Sequence, residues 1–149
     1  TETEMLDRIA PLGHIPTTKG GAITKAAAEV GAIMGAKYLI AFTKSGDSAR
    51  RMSRLRTSIP VLALTPDRPV YNQLALSWGV EPLIVSEVDH TDAMVKQVDH
   101  ELIDSGRAIV GEKVMIVAGS PPGIPGSTNA MRVHVVGDAV AGVAPAYRK

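Results

Sequence analysis

The sequence has 149 residues, 45% hydrophobic and 21% charged, which suits one globular domain with its own core. A net charge of +1 and only 3% aromatic residues argue against a basic nucleic-acid surface or base-stacking platforms. Cysteine is absent, so disulfides, a thiol nucleophile and cysteine-ligated zinc are excluded; with no long apolar run and no signal-like N-terminus, a soluble cytoplasmic protein without membrane or nucleic-acid partner is expected.

In chain order, residues 1–21 carry Pro11, Pro16 and the Gly20-Gly21 pair without sustained periodicity, and read as a linker or lead-in. The chain starts at Thr1, and its first methionine is Met5; a piece of a larger protein and a trimmed end both fit that start. Ala22 to Ala36 predicts a helix of small residues, with Ile23, Ala26, Ala27, Val30 and Ile33 near helical spacing. A repeating grammar follows. Tyr38 to Phe42 predicts a buried strand, Ser48 to Leu55 a helix with its arginines outward, and Ile59 to Leu64 a second strand. Asp67 to Trp78 predicts a helix capped by Asp67 and ended by Gly79, with Trp78 in the core. Pro82 to Val85 predicts a third strand. Thr91 to Ser105 predicts a helix capped by Thr91, with Met94, Val95, Val98, Leu102 and Ile103 buried and Asp99, Glu101 and Asp104 on the solvated face. Lys113 to Ala118 is a fourth strand, Gly119 to Asn129 a long loop, and Met131 to Val136 a fifth strand in which Val133 and Val135 alternate with Arg132 and His134.

Strands alternating with helices imply an α/β fold, a parallel sheet covered on both faces. The expected architecture is a three-layer αβα domain over residues 22–138, with five strands and the last one antiparallel at an edge; residues 139–149 read as a tail.

In such sheets ligands bind beyond the carboxyl ends of the strands. Two loops there carry notable residues. Thr43, Lys44, Ser45, Gly46 and Ser48 place three hydroxyls, a lysine and a glycine at a helix N-terminus, where free N–H groups and the positive dipole end suit a phosphate. Asp47 opposes an anion there, and an ordinary helix start capped by Ser45 or Asp47 uses the same residues. The loop from Gly119 through Gly123, Gly126, Ser127 and Thr128 is uncharged and long enough to cover a ligand, or to be a plain surface connection. There is no Walker A motif and no G-x-G-x-x-G after a strand. His14, His90, His100 and His134 lack metal-ligand spacing, and no catalytic set or metal site emerges.

The runs AFTKSGDSARRMSRLR (residues 41–56), PVLALTPD (60–67), QLALSWGVEP (73–82) and VMIVAGSPPGIPGSTNAMRVHVVGD (114–138) together resemble the C-terminal domain of pyruvate kinase, in a bacterial, actinobacterial style. The resemblance implies that residues 1–21 are the crossing from a barrel domain. That barrel would hold the active site, transferring phosphate from phosphoenolpyruvate to ADP with magnesium or manganese and potassium. It implies no catalysis by these 149 residues alone. It further implies an effector site in which Thr43, Lys44, Ser45, Gly46 and Ser48 grip one phosphate while the loop of Gly119, Gly123, Gly126, Ser127 and Thr128 orders over it. Self-association through C-domains, within a homotetramer, would use Met131 to Val136. Fructose 1,6-bisphosphate-activated relatives have a tryptophan and an arginine before the long helix. This sequence instead has Glu87, Asp89 and Asp92, which favours a sugar monophosphate or AMP over the bisphosphate. A free-standing sugar-phosphate-binding or interaction protein of the same fold is the alternative, and a small phosphotransferase using the Thr43 to Ser48 loop ranks below both for want of a base.

Overall fold

The apolar runs become five strands: β1 (Leu39–Phe42), β2 (Val61–Thr65), β3 (Val80–Ile84), β4 (Lys113–Gly119) and β5 (Thr128–Val135). The structure, a computed structural model, describes residues 18–119 and 128–140. Four helices connect or precede the strands: α1 (Lys19–Met34), α2 (Asp47–Leu55), α3 (Arg68–Leu74) and α4 (Thr91–Asp104). The strands form one sheet in the order β3-β2-β1-β4-β5. The first four are parallel, and β5 pairs antiparallel with β4 at the edge, as the sequence, with no helix pattern between the two, predicts.

Right-handed crossovers decide which face each helix covers. The chain steps outward from β1 through α2 and α3 to β3, then returns past β1 to β4 through α4, so α4 lies on the opposite face. One core cluster joins Met94, Val95, Val98 and Leu102 of α4 to Ile40, Leu62, Val114 and Ile116 of the sheet. The other joins Ala27, Met52, Val70 and Leu74 of the remaining helices to Leu39, Ala41, Val61, Met115 and Val117. Alternation along each strand serves both layers. No helix among the described residues is long and apolar enough to cross a membrane.

Several sequence expectations are corrected. Helix α1 begins at Lys19, not Ala22: the Thr18 side chain accepts from Gly21 N–H at 3.0 Å, which draws the Gly20-Gly21 pair into the first turn. Gly31 is buried where a Cβ would meet Leu39 at 3.1 Å, so this glycine allows α1 its close approach to β1. Ile33 faces solvent. Helix α3 stops at Leu74, and Trp78 is half exposed rather than in the core. The Trp78 carbonyl instead accepts from Ser53 Oγ at 2.7 Å, and the Arg56 guanidinium stacks on its ring at 4.5 Å. Helix α4 is capped by His90, not Thr91; His90 Nδ1 accepts from Ala93 N–H at 3.2 Å.

The largest correction concerns Asp99 and His134. Asp99, expected on a solvated face, is 0% exposed, and His134, expected to alternate with the apolar Val133 and Val135, is 4% exposed. His134 Nε2 lies 2.7 Å from Asp99 Oδ1, and the N–H groups of Ala139 and Val140 donate to Asp99 Oδ2 at 2.9 and 3.3 Å. The pair ties α4 to β5 and to the turn after it. Along β5 the inner residue at that end is therefore His134, while Val133 is exposed. Gly119 and Thr128 are not free loop residues: they end β4 and open β5, opposite each other beside a register shift at Ala118/Gly119. Residues 1–17, Gly123, Gly126, Ser127 and the tail beyond 140 lie outside the described residues.

Candidate functional site

Among the described strands there is one place where neighbouring parallel strands lead the chain in opposite directions along the sheet, β1 toward β2 and β4 toward β5. That place is the pair β1 and β4, in register at Ala41↔Val117. A crevice at such a switch point, beyond the carboxyl ends of the strands, is where open α/β sheets hold ligands. The loop after β1 carries Thr43 to Ser48, and the loop after β4 leaves from Gly119 beside it. Both stretches singled out in the sequence thus depart from adjacent strand ends.

The first loop is built by its own side chains. Thr43 N–H continues the sheet by donating to Leu64 O at 3.1 Å. Thr43 Oγ1 accepts from Gly46 N–H at 2.6 Å, and Ser45 Oγ accepts from Asp47 N–H at 3.2 Å. These bonds wind the chain into a tight turn. The N-cap of α2 is Gly46, at φ 89°, not Ser45 or Asp47. Glycine suits that left-handed position because it has no Cβ. Ser48 is buried in the first turn. Asp47 is exposed and sits 3.4 Å from Arg50, which offsets its charge toward an anion.

Two further residues, Arg50 and Gln73, were missed in the sequence. Arg50 is not simply outward: its Nη1 donates to Ser45 O at 2.9 Å and its Nη2 to Gln73 Oε1 at 2.7 Å. Its guanidinium lies against Gly46, within 3.0 Å of where a Cβ would stand. The available signal was helix geometry, since side chains lean toward the N-terminus and a residue four past the cap overhangs it. Glu87, after β3, forms an ion pair with Lys44 at 2.6 Å. Gln73 comes from another connection, and no local pattern points to it; Glu87 belongs to the acidic stretch noted in the sequence, and the structure adds its pairing with Lys44. The result is a hydroxyl-lined turn with one lysine and one arginine, and an acidic residue on its rim. It carries hydrogen-bond donors and positive charge but no nucleophile–base pair. No group of three His, Asp or Glu residues among those described is arranged to hold a metal.

Comparison with known proteins agrees with this architecture. The family model described as "Pyruvate kinase, alpha/beta domain" matches residues 21–134. The chain is 49% identical over 128 residues to the pyruvate kinase of Mycobacterium tuberculosis (strain CDC 1551 / Oshkosh), covering 86% of this chain and 27% of that protein. It is 42% identical over 131 residues to the pyruvate kinase of Corynebacterium efficiens, covering 88% and 28%. To the pyruvate kinase of Staphylococcus aureus (strain bovine RF122 / ET3-1) it is 32% identical over 127 residues, covering 85% and 22%. The mycobacterial and corynebacterial relatives fit the actinobacterial style of the last loop. The chain spans about a quarter of the length of these relatives. Over most of its length, then, the chain belongs to the pyruvate kinase family, as its C-terminal alpha/beta domain.

Proposed function

We propose that this chain is the effector-binding and oligomerising domain of a pyruvate kinase, and that Thr43, Lys44, Ser45, Gly46 and Ser48 hold the phosphate of a metabolite. The observation that carries the reading is the position of this loop, at the β1/β4 switch point and at the N-terminus of a nine-residue helix. Arg50 joins the set as a second cation beside the turn. The connection between Gly119 and Thr128, with Gly123, Gly126 and Ser127, leaves from the neighbouring strand and would cover the ligand. The reaction of phosphoenolpyruvate with ADP, with its magnesium or manganese and potassium, belongs to sequence beyond these 149 residues. A turnover assay of the chain alone should show no activity. Pairing between copies would use β5, an edge strand whose Met131 and Val133 are exposed. The cytoplasm is the expected setting.

The effector is a monophosphate: a hexose or pentose phosphate, or AMP. Glu87 supports this, since it reaches Lys44 from the acidic stretch that also holds Asp89 and Asp92. A second phosphate in that direction meets like charge. Calorimetry with glucose 6-phosphate, ribose 5-phosphate, AMP and fructose 1,6-bisphosphate tests it; much tighter binding of the bisphosphate overturns the monophosphate reading. Ser45→Ala should weaken the bound phosphate by about 1.5–3 kcal/mol, the worth of one hydrogen bond to a charged group. Unchanged affinity would move the site elsewhere. Glu87→Gln should have the opposite sign. Releasing Lys44 from its carboxylate partner should tighten phosphate binding by about 1 kcal/mol, roughly fivefold, and less at high salt.

A further inference from the structure

The charges of this chain are sorted by face. Between Thr43 and Gly79 the sequence holds six basic and two acidic side chains, and between Val80 and Asp104 it holds one basic and seven acidic. The first stretch carries α2 and α3, and the second carries α4, which packs on the other side of the sheet. A net charge of +1 therefore hides a molecule that is basic on one face and acidic on the other.

Little of this charge is neutralised within the described residues. On the basic face, Arg50 meets Asp47 at 3.4 Å, but Arg51 donates to the neutral Thr18 Oγ1 at 2.7 Å. Arg56 and Arg68 stack on the rings of Trp78 and Tyr71 and keep their full charge. Arg54 is exposed, four residues from Arg50 and three from Arg51, spacings at which like charges repel along a helix. Arg50 Nη2 donates to Gln73 Oε1 at 2.7 Å and so joins α2 to α3 as one surface. In the acidic stretch, Asp99 is buried against His134, Glu81 pairs with Arg107, and Glu87 pairs with Lys44. Asp89, Asp92, Glu101 and Asp104 remain around α4, with Lys96, His90 and His100 among them.

We propose that the basic α2/α3 face of one copy docks on the acidic α4 face of a second copy. The chain itself supplies the fitting partner, because every copy offers both complementary surfaces at the same concentration. A polyanion would fit the basic face alone and leave the acidic one unaccounted for. The two faces lie on opposite sides of the sheet and cannot meet within one molecule. The contact is therefore heterologous: each copy added leaves one basic and one acidic face open, so copies stack. The inference rests neither on the effector reading nor on pairing through β5, so each can fail alone.

Sedimentation velocity of the 149-residue chain tests it. In about 20 mM salt the chain should form concentration-dependent stacks. In about 0.5 M salt, where the Debye length falls to roughly 4 Å, the apparent association constant should drop about tenfold or more. No self-association at low salt overturns the inference, and so does association that salt leaves unchanged. Two charge-reversed chains give the specific reading: Arg54→Glu with Arg68→Glu on the basic face, and Asp92→Lys with Asp104→Lys on the acidic one. All four side chains are exposed, so the fold should be kept, which circular dichroism checks. Each reversed chain alone should associate about tenfold more weakly than the parent at low salt. Mixed in equal amounts they should associate again, because the first keeps its acidic face and the second its basic face. A mixture that stays apart, or a reversed chain that stacks as the parent does, overturns the inference. So does polyphosphate bound to the basic face of a chain that does not self-associate.

Discussion

Asp99→Ala is expected to destabilise the domain by about 3–5 kcal/mol, because it removes the shared acceptor of a buried hydrogen-bonded cluster. The carboxylate is fully buried among Val95, Val98, Leu102 and Val114 of the core. It accepts from His134 and from the Ala139 and Val140 N–H groups. Alanine would leave an imidazole and two backbone donors without acceptors in an apolar layer, each unsatisfied group costing about 1–3 kcal/mol before relaxation. Asp99→Asn keeps the shape and part of the acceptor capacity, so its loss should be about half as large. Equilibrium urea unfolding followed by circular dichroism measures both. The cycle with His134→Ala should be strongly non-additive, because the two side chains share one hydrogen bond. A loss under about 1 kcal/mol for Asp99→Ala would mean that water reaches the pair.

This pair also shows where reading the sequence stops. The strands, their alternation with helices and the antiparallel edge were legible because each rests on local hydrophobic period and connection length. Asp99 was not legible. With Glu101 and Asp104 nearby it looks like one more solvated charge, and its partner lies 35 residues away. His134 fits an alternating edge strand equally well with either face buried, so only the crossing of α4 over β5 decides. Trp78 failed for a related reason: apolar residues continue past Leu74, but a turn anchored by Ser53 ends α3 before they can be buried. The turn of Thr43 to Ser48 could be singled out because its features are contiguous. Arg50 lay within reach of helix geometry, whereas Gln73 enters from a distant connection; Glu87 was noted as one of an acidic stretch, but its pairing with Lys44 was not.

Gly46→Ala is the substitution expected to harm the candidate site most. Gly46 caps α2 at φ 89°, where an L side chain costs about 1–2 kcal/mol. Its added methyl would also press on the Arg50 guanidinium at 3.0 Å. Arg50 must then give up its bonds to Ser45 O and Gln73, and the turn closed by Thr43 Oγ1 on Gly46 N–H loosens with it. Phosphate affinity should fall by about 2–3 kcal/mol, roughly 30- to 150-fold, as backbone strain and displaced cation combine. Gly79→Ala separates this from general destabilisation. Gly79 has a similar backbone, φ 69°, but a Cβ there meets nothing within 4 Å, and it lies at the opposite edge of the sheet. It should lose comparable stability in urea while binding phosphate as the parent does. Calorimetry on both variants therefore isolates the loop. Equal affinities in the parent and Gly46→Ala would mean that the phosphate does not sit on this helix end, whatever the stability data show.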